Sequence, residues 1–357
     1  MQNPPSAGNP VILPDFFLDH FVMVSDLEDF VRGLRGLAAQ GGGNLLGSKH
    51  LIRRGGNSVN TASALLSLGV VPTLIVKTDP QGLGLLQGLV SPELDLTHVK
   101  TDGRLAATVS IEANYDGRRV NLMVSDSGSV ATFSFSDLDE GDLQALRRSD
   151  LVALLCLNHN KKAADLAQNL FTFIRRQSKA GTFLDMGDPS NNPQVVPSLV
   201  DKVLREGLVD TVSMNENEAG WFARALAPTD SRWTDVVHDP KRWLEAATFV
   251  SSETGIRVDL HTLHFCATIL RDDIATVPAF VAESRVICGA GDSWNAGDIY
   301  GMLLGLSPSD RLVVANAVAA LYVSSAEAKH PSRKDVIGFL KSGPSLSLEG
   351  NNLLKVR

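Results

Sequence analysis

Cysteine is scarce in this chain, with 3 in 357 residues, at Cys156, Cys266 and Cys288. An odd number spread so widely makes neither a disulfide framework nor a metal-ligand spacing, and a reducing cytoplasm is the expected compartment. Basic charge is in deficit, with a formal net charge of −7. That balance argues against a nucleic-acid surface as partner, while leaving room for a local anion pocket. No run of about 18 apolar residues occurs, so no membrane span is expected. Residues 1–10 are polar and rich in Pro and Gly, without the basic and apolar regions of a signal peptide. Internal repeats and low-complexity tracts are absent too. What remains is a globular composition, 44% hydrophobic, long enough to bury a large core as one large domain or two ordinary ones.

Patterning along the chain points to an α/β body. Residues 11–13 and 21–24 read as short extended pieces, 27–37 as a helix, and the glycine-rich stretch 41–47 as a loop. Val59, Ala62 and Leu66 share one face at helical spacing, and Gly69 stands at the stop position, so 58–68 reads as a helix. A strand over 72–76 follows. From residue 143 onward apolar strand-like runs at 151–157, 182–186 and 211–214 alternate with helical segments at 163–179, 197–206 and 216–227. Such alternation predicts a parallel sheet covered on both faces. Residues 227–241 read as a surface connection, 260–270 as one further strand, and 292–304, 311–325 and 333–340 as closing helices. The stretch 108–124 differs: Val109, Ile111, Ala113 and Tyr115 alternate with polar residues, Asp116-Gly117 makes a hairpin turn, and 120–124 returns. This half-exposed ribbon is expected to form a flap over the body. Residues 342–357, like 1–10, read as loose.

Two glycine-bearing segments carry the chemistry. In Gly289-Ala290-Gly291-Asp292, small residues leave successive N–H groups unshielded where a helix begins. Free N–H groups there attract anions, and the helix dipole favours an ionised Asp292. A carboxylate so placed can take a proton from a substrate hydroxyl beside a polyphosphate; an ordinary capping Asp after a glycine turn has the same pattern. In Gly55-Gly56-Asn57-Ser58-Val59-Asn60, Asn57 stands as a candidate N-cap and Asn60 falls on the same face. Two carboxamides at a helix start can hold a polyol or simply cap. Asp19 follows the first strand, where open α/β sheets bind ligands, or it is a surface loop residue. Asn215 and Glu218 have capping-box spacing and could equally order a metal–phosphate hydration shell. Ser293, Gly297 and Gly301 make a bare helix stripe that close helix packing explains.

In this order the segments resemble the ribokinase/PfkB family of carbohydrate and nucleoside kinases, over nearly the whole chain from residue 11 to 340. The Gly-Ala-Gly-Asp at 289–292 followed by Gly297, the Gly-Gly-Asn-x-x-Asn at 55–60 and the Asn-x-x-Glu at 215–218 carry the resemblance. It implies a ribokinase-like doubly wound, mostly parallel sheet flanked by helices, with a small β lid from segments near 20–25, 41–54 and 104–125. It implies Asp292 as base and Gly289, Ala290 and Gly291 with it as the anion hole for a phosphoryl group in transit. Asp19, Gly56, Asn57 and Asn60 would hold hydroxyls of a sugar or nucleoside. Asn215 and Glu218 would serve phosphates and, through water, Mg²⁺, and Asn316 would stand on the nucleotide side, with ATP as donor. Lids of this family pair between subunits, which makes a homodimer the expected assembly.

The chain also departs from the family. A threonine- and glycine-rich stretch beneath the donor nucleotide corresponds here to 251–262, with Gly255 its one glycine and with Asp259 and His261 in unusual places. An Asp-Thr pair common before Gly289 is replaced by Val286 and Ile287, which cannot ligate a cation, so no monovalent-cation activation is expected. Cys288 is expected to pack, and His261 and His264 to be strand residues. A nucleoside kinase and a catalytically weak ligand-binding regulator on the same scaffold remain as rivals. A dinucleotide-binding oxidoreductase is disfavoured, because no Gly-x-Gly-x-x-Gly follows the first strand.

Overall fold

The computed structural model describes residues 8–286 and 288–355; residues 1–7, expected to be loose, and Ile287 of the apolar pair lie outside the described residues. The chain opens with β1 (Pro10–Leu13), β2 (Phe17–Asp26), α1 (Leu27–Ala39), β3 (Lys49–Gly55) and α2 (Asn57–Ser67). Next come β4 (Thr73–Leu74), β5 (Val76–Lys77), α3 (Pro80–Leu89), β6 (Val99–Lys100), β7 (Ala106–Tyr115), β8 (Arg118–Asp126) and α4 (Glu140–Arg148). The middle of the chain holds β9 (Leu151–Leu154), α5 (Ala163–Gln177), β10 (Gly181–Asp185), α6 (Val195–Leu199), β11 (Thr211–Met214), α7 (Glu216–Leu226) and α8 (Pro240–Thr254). It closes with β12 (Arg257–His261), β13 (Phe265–Leu270), β14 (Asp273–Pro278), α9 (Ala290–Leu303), α10 (Pro308–Val323), α11 (Arg333–Lys341) and α12 (Leu348–Lys355).

An eight-stranded sheet runs β14-β13-β12-β11-β10-β9-β1-β4, parallel from β4 to β12 and antiparallel at its β13–β14 edge. Its strands are apolar on both sides because each side is covered. Val11, Leu13, Val152 and Leu154 face one core with α5, α7 and α8; Ile12, Leu151 and Ala153 face the other with α2, α9 and α10. A second sheet, β3-β2-β7-β8, forms the lid, so the flap expected from the 108–124 ribbon gains β2 and β3 as partners. Residues 41–48 contribute no strand to it.

Four readings of the chain need correction. Pro240 and Lys241, read as the end of the surface connection, instead begin a helix over Pro240–Thr254: Pro240 is its first residue behind the Asp239 cap, where its missing N–H costs nothing, and Gly255 closes the helix in left-handed conformation. The connection before it is not wholly superficial, since Trp233 and Val236 are buried. Residues 260–270 fold into two strands, because the Thr262 hydroxyl accepts from the N–H groups of His264 and Phe265 and turns the chain. The tail is pinned: the Ser347 N–H donates to Ala279 O, and α12 follows. The bare stripe on α9 is packing, for a Cβ on Gly297 would stand 2.7 Å from Ala315 Cα of α10.

Asp259 belongs to this framework and not to a nucleotide loop. It and Asp298 are fully buried and both accept from the Arg311 guanidinium, which also donates to Thr268 Oγ1 at 2.8 Å. One cation between two buried carboxylates leaves an excess acid, and burial with the neighbouring Asp259 holds the Asp298 carboxyl well above its usual range. Arg311→Met strands both acids, and a loss of about 3–5 kcal/mol in urea-unfolding stability is expected. Asp298→Asn should cost far less.

Candidate active site

The carboxyl ends of five parallel strands converge on one cleft of about 610 Å³. Beyond β1 stands Asp15, beyond β9 Cys156 and Asn158, at the end of β10 Asp185, beyond β11 Asn215, and at the end of β12 His261. The lid closes over this edge with Asp19, Phe21, Thr108, Ser110, Met123 and Ser125, which alternate inward along β2, β7 and β8.

Helix α9 enters from below. Gly289 is its N-cap, with φ +87°, and a Cβ there would lie 2.6 Å from the Tyr322 hydroxyl. The first intrahelical bond runs from Ser293 N–H to Gly289 O at 3.0 Å, so the N–H groups of Ala290, Gly291 and Asp292 stand outside the helix ladder. Tyr322 holds the turn by donating to Cys288 O at 2.8 Å. Asp292 is buried, and Asn60 Nδ2 donates to its Oδ2 at 2.9 Å. Burial pushes its carboxyl up to about 7, the Asn60 bond opposes the shift, and Asp185, Asp15 and Asp19 add to it.

Helix α2 brings Gly56, Asn57 and Asn60 to the same cleft. Its capping differs from expectation. Gly56, at φ +93°, is the N-cap, and Asn57 is the first helical residue. The cap oxygen comes from Asp15, which accepts from Asn57 N–H and Ser58 N–H, each at 2.8 Å, and from Ser58 Oγ at 2.5 Å. That leaves the Asn57 side chain free of capping duty. The position assumed for Asp19, just past the first strand, is occupied by Asp15; Asp19 lies on lid strand β2 instead. There its carboxylate rests against Gly55, where a Cβ would come within 2.4 Å of Asp19 Oδ1. Burial, with Asp15 nearby, pushes Asp19 up to about 7.

Asn215 and Glu218 form a capping box at α7, with Glu218 N–H donating to Asn215 Oδ1 at 3.0 Å and Asn215 N–H to Glu218 Oε2 at 2.9 Å. They also line the cleft, so the two readings of that pair are compatible. Burial, then Asp185, holds the Glu218 carboxyl well above its usual range. Asn316 does not reach the cleft: its carboxamide accepts from Trp294 Nε1 at 3.0 Å and donates to Pro278 O at 3.1 Å. Cys288 does not pack in the core but opens on the cleft; desolvation, with the nearby Asp19 and Asp292, pushes its thiol up to about 12. His261 ends its strand as expected, half-buried behind Gly291 at the cleft wall, with desolvation pushing it down to about 4, whereas His264 falls in the turn before β13.

Sequence reasoning missed Asp15 and gave Asp185 no role. Asp185 accepts from Asn295 Nδ2 at 2.5 Å and Gly187 N–H at 2.8 Å, and lies at the centre of the acidic floor. A carboxylate ending an apolar strand was the available signal. No cluster of three or more His, Cys, Asp or Glu suited to hold a metal occurs among the described residues.

A cleft at the sheet's carboxyl edge, with free N–H groups beside a buried carboxylate, is an arrangement chemically suited to an anionic group and a hydroxyl side by side. The chain belongs to the pfkB family of carbohydrate kinases, whose model matches residues 22–335. A search of the curated proteins finds no match to the sequence. Among solved structures it is similar to a ribokinase from Arabidopsis thaliana complexed with ribose and ATP, at 17% identity and TM-score 0.72, covering 94% of this chain and 99% of that one. It is also similar to an adenosine kinase from Sinorhizobium meliloti, at 17% identity and TM-score 0.67, covering 94% and 98%. A nucleoside kinase from Methanocaldococcus jannaschii is similar at 13% identity and TM-score 0.61, covering 94% and 98%.

Gly289→Ala forces a side chain into a left-handed turn and against Tyr322, at a cost of about 1–3 kcal/mol. Thermal unfolding should show that loss. Turnover should fall further than stability does, because the N–H groups lose their aim.

Proposed function

We propose that this kinase transfers the terminal phosphoryl group of a nucleotide, ATP in our reading, to a hydroxyl of a sugar or sugar-like substrate. The observation that carries this reading is the Asn60–Asp292 hydrogen bond inside a cleft that also holds the unengaged N–H groups of 290–292. The acceptor lies between Asp19, Gly56, Asn57, Asn60 and the lid. Asp292 takes the proton as the acceptor oxygen bonds to the terminal phosphorus, and the bond from that phosphorus to the bridging oxygen breaks, releasing the nucleoside diphosphate. The N–H groups of Gly289–Asp292 offset charge on the moving group. The transition state is loose, so positioning matters more than base strength. Glu218, through water, and Asp185 are the residues that would hold Mg²⁺, which supplies charge neutralisation to the phosphates. Asn316 acts on the site only through Trp294 of α9.

A nucleoside acceptor is the second reading. Phe17, Phe21, Met123 and His159 give the cleft an apolar wall, with Phe17 and His159 ring centroids 4.9 Å apart. A nucleobase can stack there. Phosphoryl-transfer assays with sugars and nucleosides separate the two acceptors, and transfer to neither favours the regulator.

Asp292→Asn should lower turnover by about 10²–10⁴-fold, and near-normal turnover would remove the base role. The parent kcat/KM should rise with pH along a limb centred near 7, the value to which Asp292 is pushed. Asn60→Ala removes a bond that favours the carboxylate, so this limb should move to higher pH.

Stability runs the other way. The folded protein holds the Asp292 proton up to about 7, against an ordinary value of 3.8, so ionisation between those values costs stability. The Asp292→Asn variant should therefore match its parent near the unfolded value and exceed it above pH 7, by on the order of 2–4 kcal/mol. Denaturant titrations at the two pH values check this.

A homodimer through the lid completes the reading. Ile52, His20, Val109 and Val124 form one cross-strand row on the outer lid face, with Ile52 48% and Val124 67% exposed, and β8 is an unpaired edge. Light scattering at micromolar concentration should give a dimer, and Val124→Asp a monomer.

A further inference from the structure

A second cavity, of about 580 Å³, shares no lining residue with the active-site cleft. It lies between β3, the outer face of α2, the segment after α3 and the 327–330 turn, and it is lined by Arg54, Ser63, Ser67, Ser91, Lys329 and His330. Three of these residues carry buried polar atoms that have no hydrogen-bond partner among the described residues: Arg54 Nε, Ser63 Oγ and His330 Nε2. Orphan polar atoms are rare in folded proteins, and three around one cavity call for an occupant.

Each of the three can donate a hydrogen bond. The Arg54 guanidinium makes no ion pair among the described residues, and its one bond is a long 3.4 Å contact from Nη1 to Leu89 O. Burial pushes its pKa below the usual arginine range. His330 is only 6% exposed, and its Nδ1 lies 3.2 Å from Ser293 Oγ. Burial pushes it down to about 3, so the ring is neutral and carries one hydrogen. In the tautomer in which the Ser293 hydroxyl donates to Nδ1, that hydrogen sits on Nε2, which has no partner among the described residues. Ser63 adds a hydroxyl, and Lys329 is exposed at the mouth. A half-buried guanidinium with an unpartnered buried Nε, beside two neutral donors, lacks only an acceptor, and a charged one serves best.

We propose that this cavity is a binding site for a small oxyanion of the phosphate or sulfate class, held by Arg54, Ser63 and His330. Glu93 and Glu327 also line the cavity, but both are exposed and neither lies within ion-pair distance of Arg54. Their charge at the rim disfavours a long polyanion and leaves the floor to a compact one. The site also touches the catalytic turn. His330 stacks on Tyr322 at 4.9 Å and 19°, and Tyr322 fixes the Cys288 carbonyl beside Gly289. Ser293 is the residue after Asp292. An anion here therefore braces the back of the turn whose front faces the cleft. Binding at this site does not depend on the kinase chemistry.

Two measurements on the full chain test it. Inorganic phosphate is titrated calorimetrically into enzyme saturated with ADP and Mg²⁺, and crystals are soaked in selenate to locate the anion by anomalous scattering. One site that persists under ADP, with selenium beside Arg54, Ser63 and His330, is expected. Arg54→Gln should weaken phosphate binding at least about tenfold. Ser63→Ala and Lys329→Ala, milder changes that keep the fold if Arg54→Gln does not, should each weaken it less. Glu327→Gln should tighten it by removing a rim charge. Selenium only at the 289–292 turn, no phosphate binding, or variants that all bind like the parent would overturn the proposal. The selenium position answers the question even for a protein that transfers no phosphoryl group.

Discussion

One hydrogen bond, from Asn60 Nδ2 to Asp292 Oδ2, joins two helix starts 232 residues apart in the chain. It fixes the relation between the Gly56–Asn60 start of α2 and the Gly289–Asp292 turn of α9, both of which line the cleft. The Thr61 hydroxyl repeats the link by donating to Asp292 O at 3.3 Å. Both helices pack on the same face of the central sheet, through Val59 and Leu65 on one and Ala296 and Ile299 on the other. The glycines of α9 set the depth of its other contact, with α10. A side chain added along that stripe would tilt α9 and break the alignment of carboxylate and N–H groups, which is why the packing stripe and the catalytic turn belong to one helix.

The cleft is an electrostatic compromise. Asp15, Asp19, Asp185, Glu218 and Asp292 crowd one edge of the sheet, and each is held above its ordinary range, first by burial. A protein selected for stability alone would not gather them. Asp15 serves the fold, since it caps α2 and is spent on three donors there. Asp185 is anchored by Asn295, which is held in turn by the Ser213 hydroxyl at 2.7 Å. Asp19 and Asp292 keep oxygens unspent, and these are the groups poised near neutrality. Both are carried to about the same value by the same cause, burial among neighbouring carboxylates. A polyphosphate with its cation would relieve the same crowding.

Arg54, half-buried, and Arg311, buried, show two fates of a guanidinium drawn in from solvent. Arg311 has two carboxylates, and its network ties β12, β13, α9 and α10 together. Arg54 has a single carbonyl, at the end of a long bond. The first is a structural rivet, complete without a ligand. The second is incomplete, and it stands directly before the glycine pair that opens α2, next to the residues that shape the site.

Local chemistry was enough to place the strands 151–154, 181–185 and 211–214, because continuous apolar runs of that length suit strands covered on both faces. It was enough for the Asp116-Gly117 hairpin, for the capping box at 215–218, and for the glycine turn that starts α9. It failed where a residue has two local meanings: Pro240 can break a helix or begin one, and Thr262 can continue a strand or turn it. It also failed for side chains whose roles are set by distant segments. Asp15 and Asp19 are both carboxylates near the first strand, and only the path of the chain decides that one caps a helix and the other rides on the lid. Asn316 sits in the expected helix, yet Trp294 and Pro278 claim its carboxamide. The sequence by itself determined the periodicities, the turns and the residue types able to handle phosphate and hydroxyl groups, since these depend on neighbours a few positions away. Tertiary structure alone decided which carboxylates share the cleft and which protons they hold, because burial and through-space charge are properties of the packed molecule.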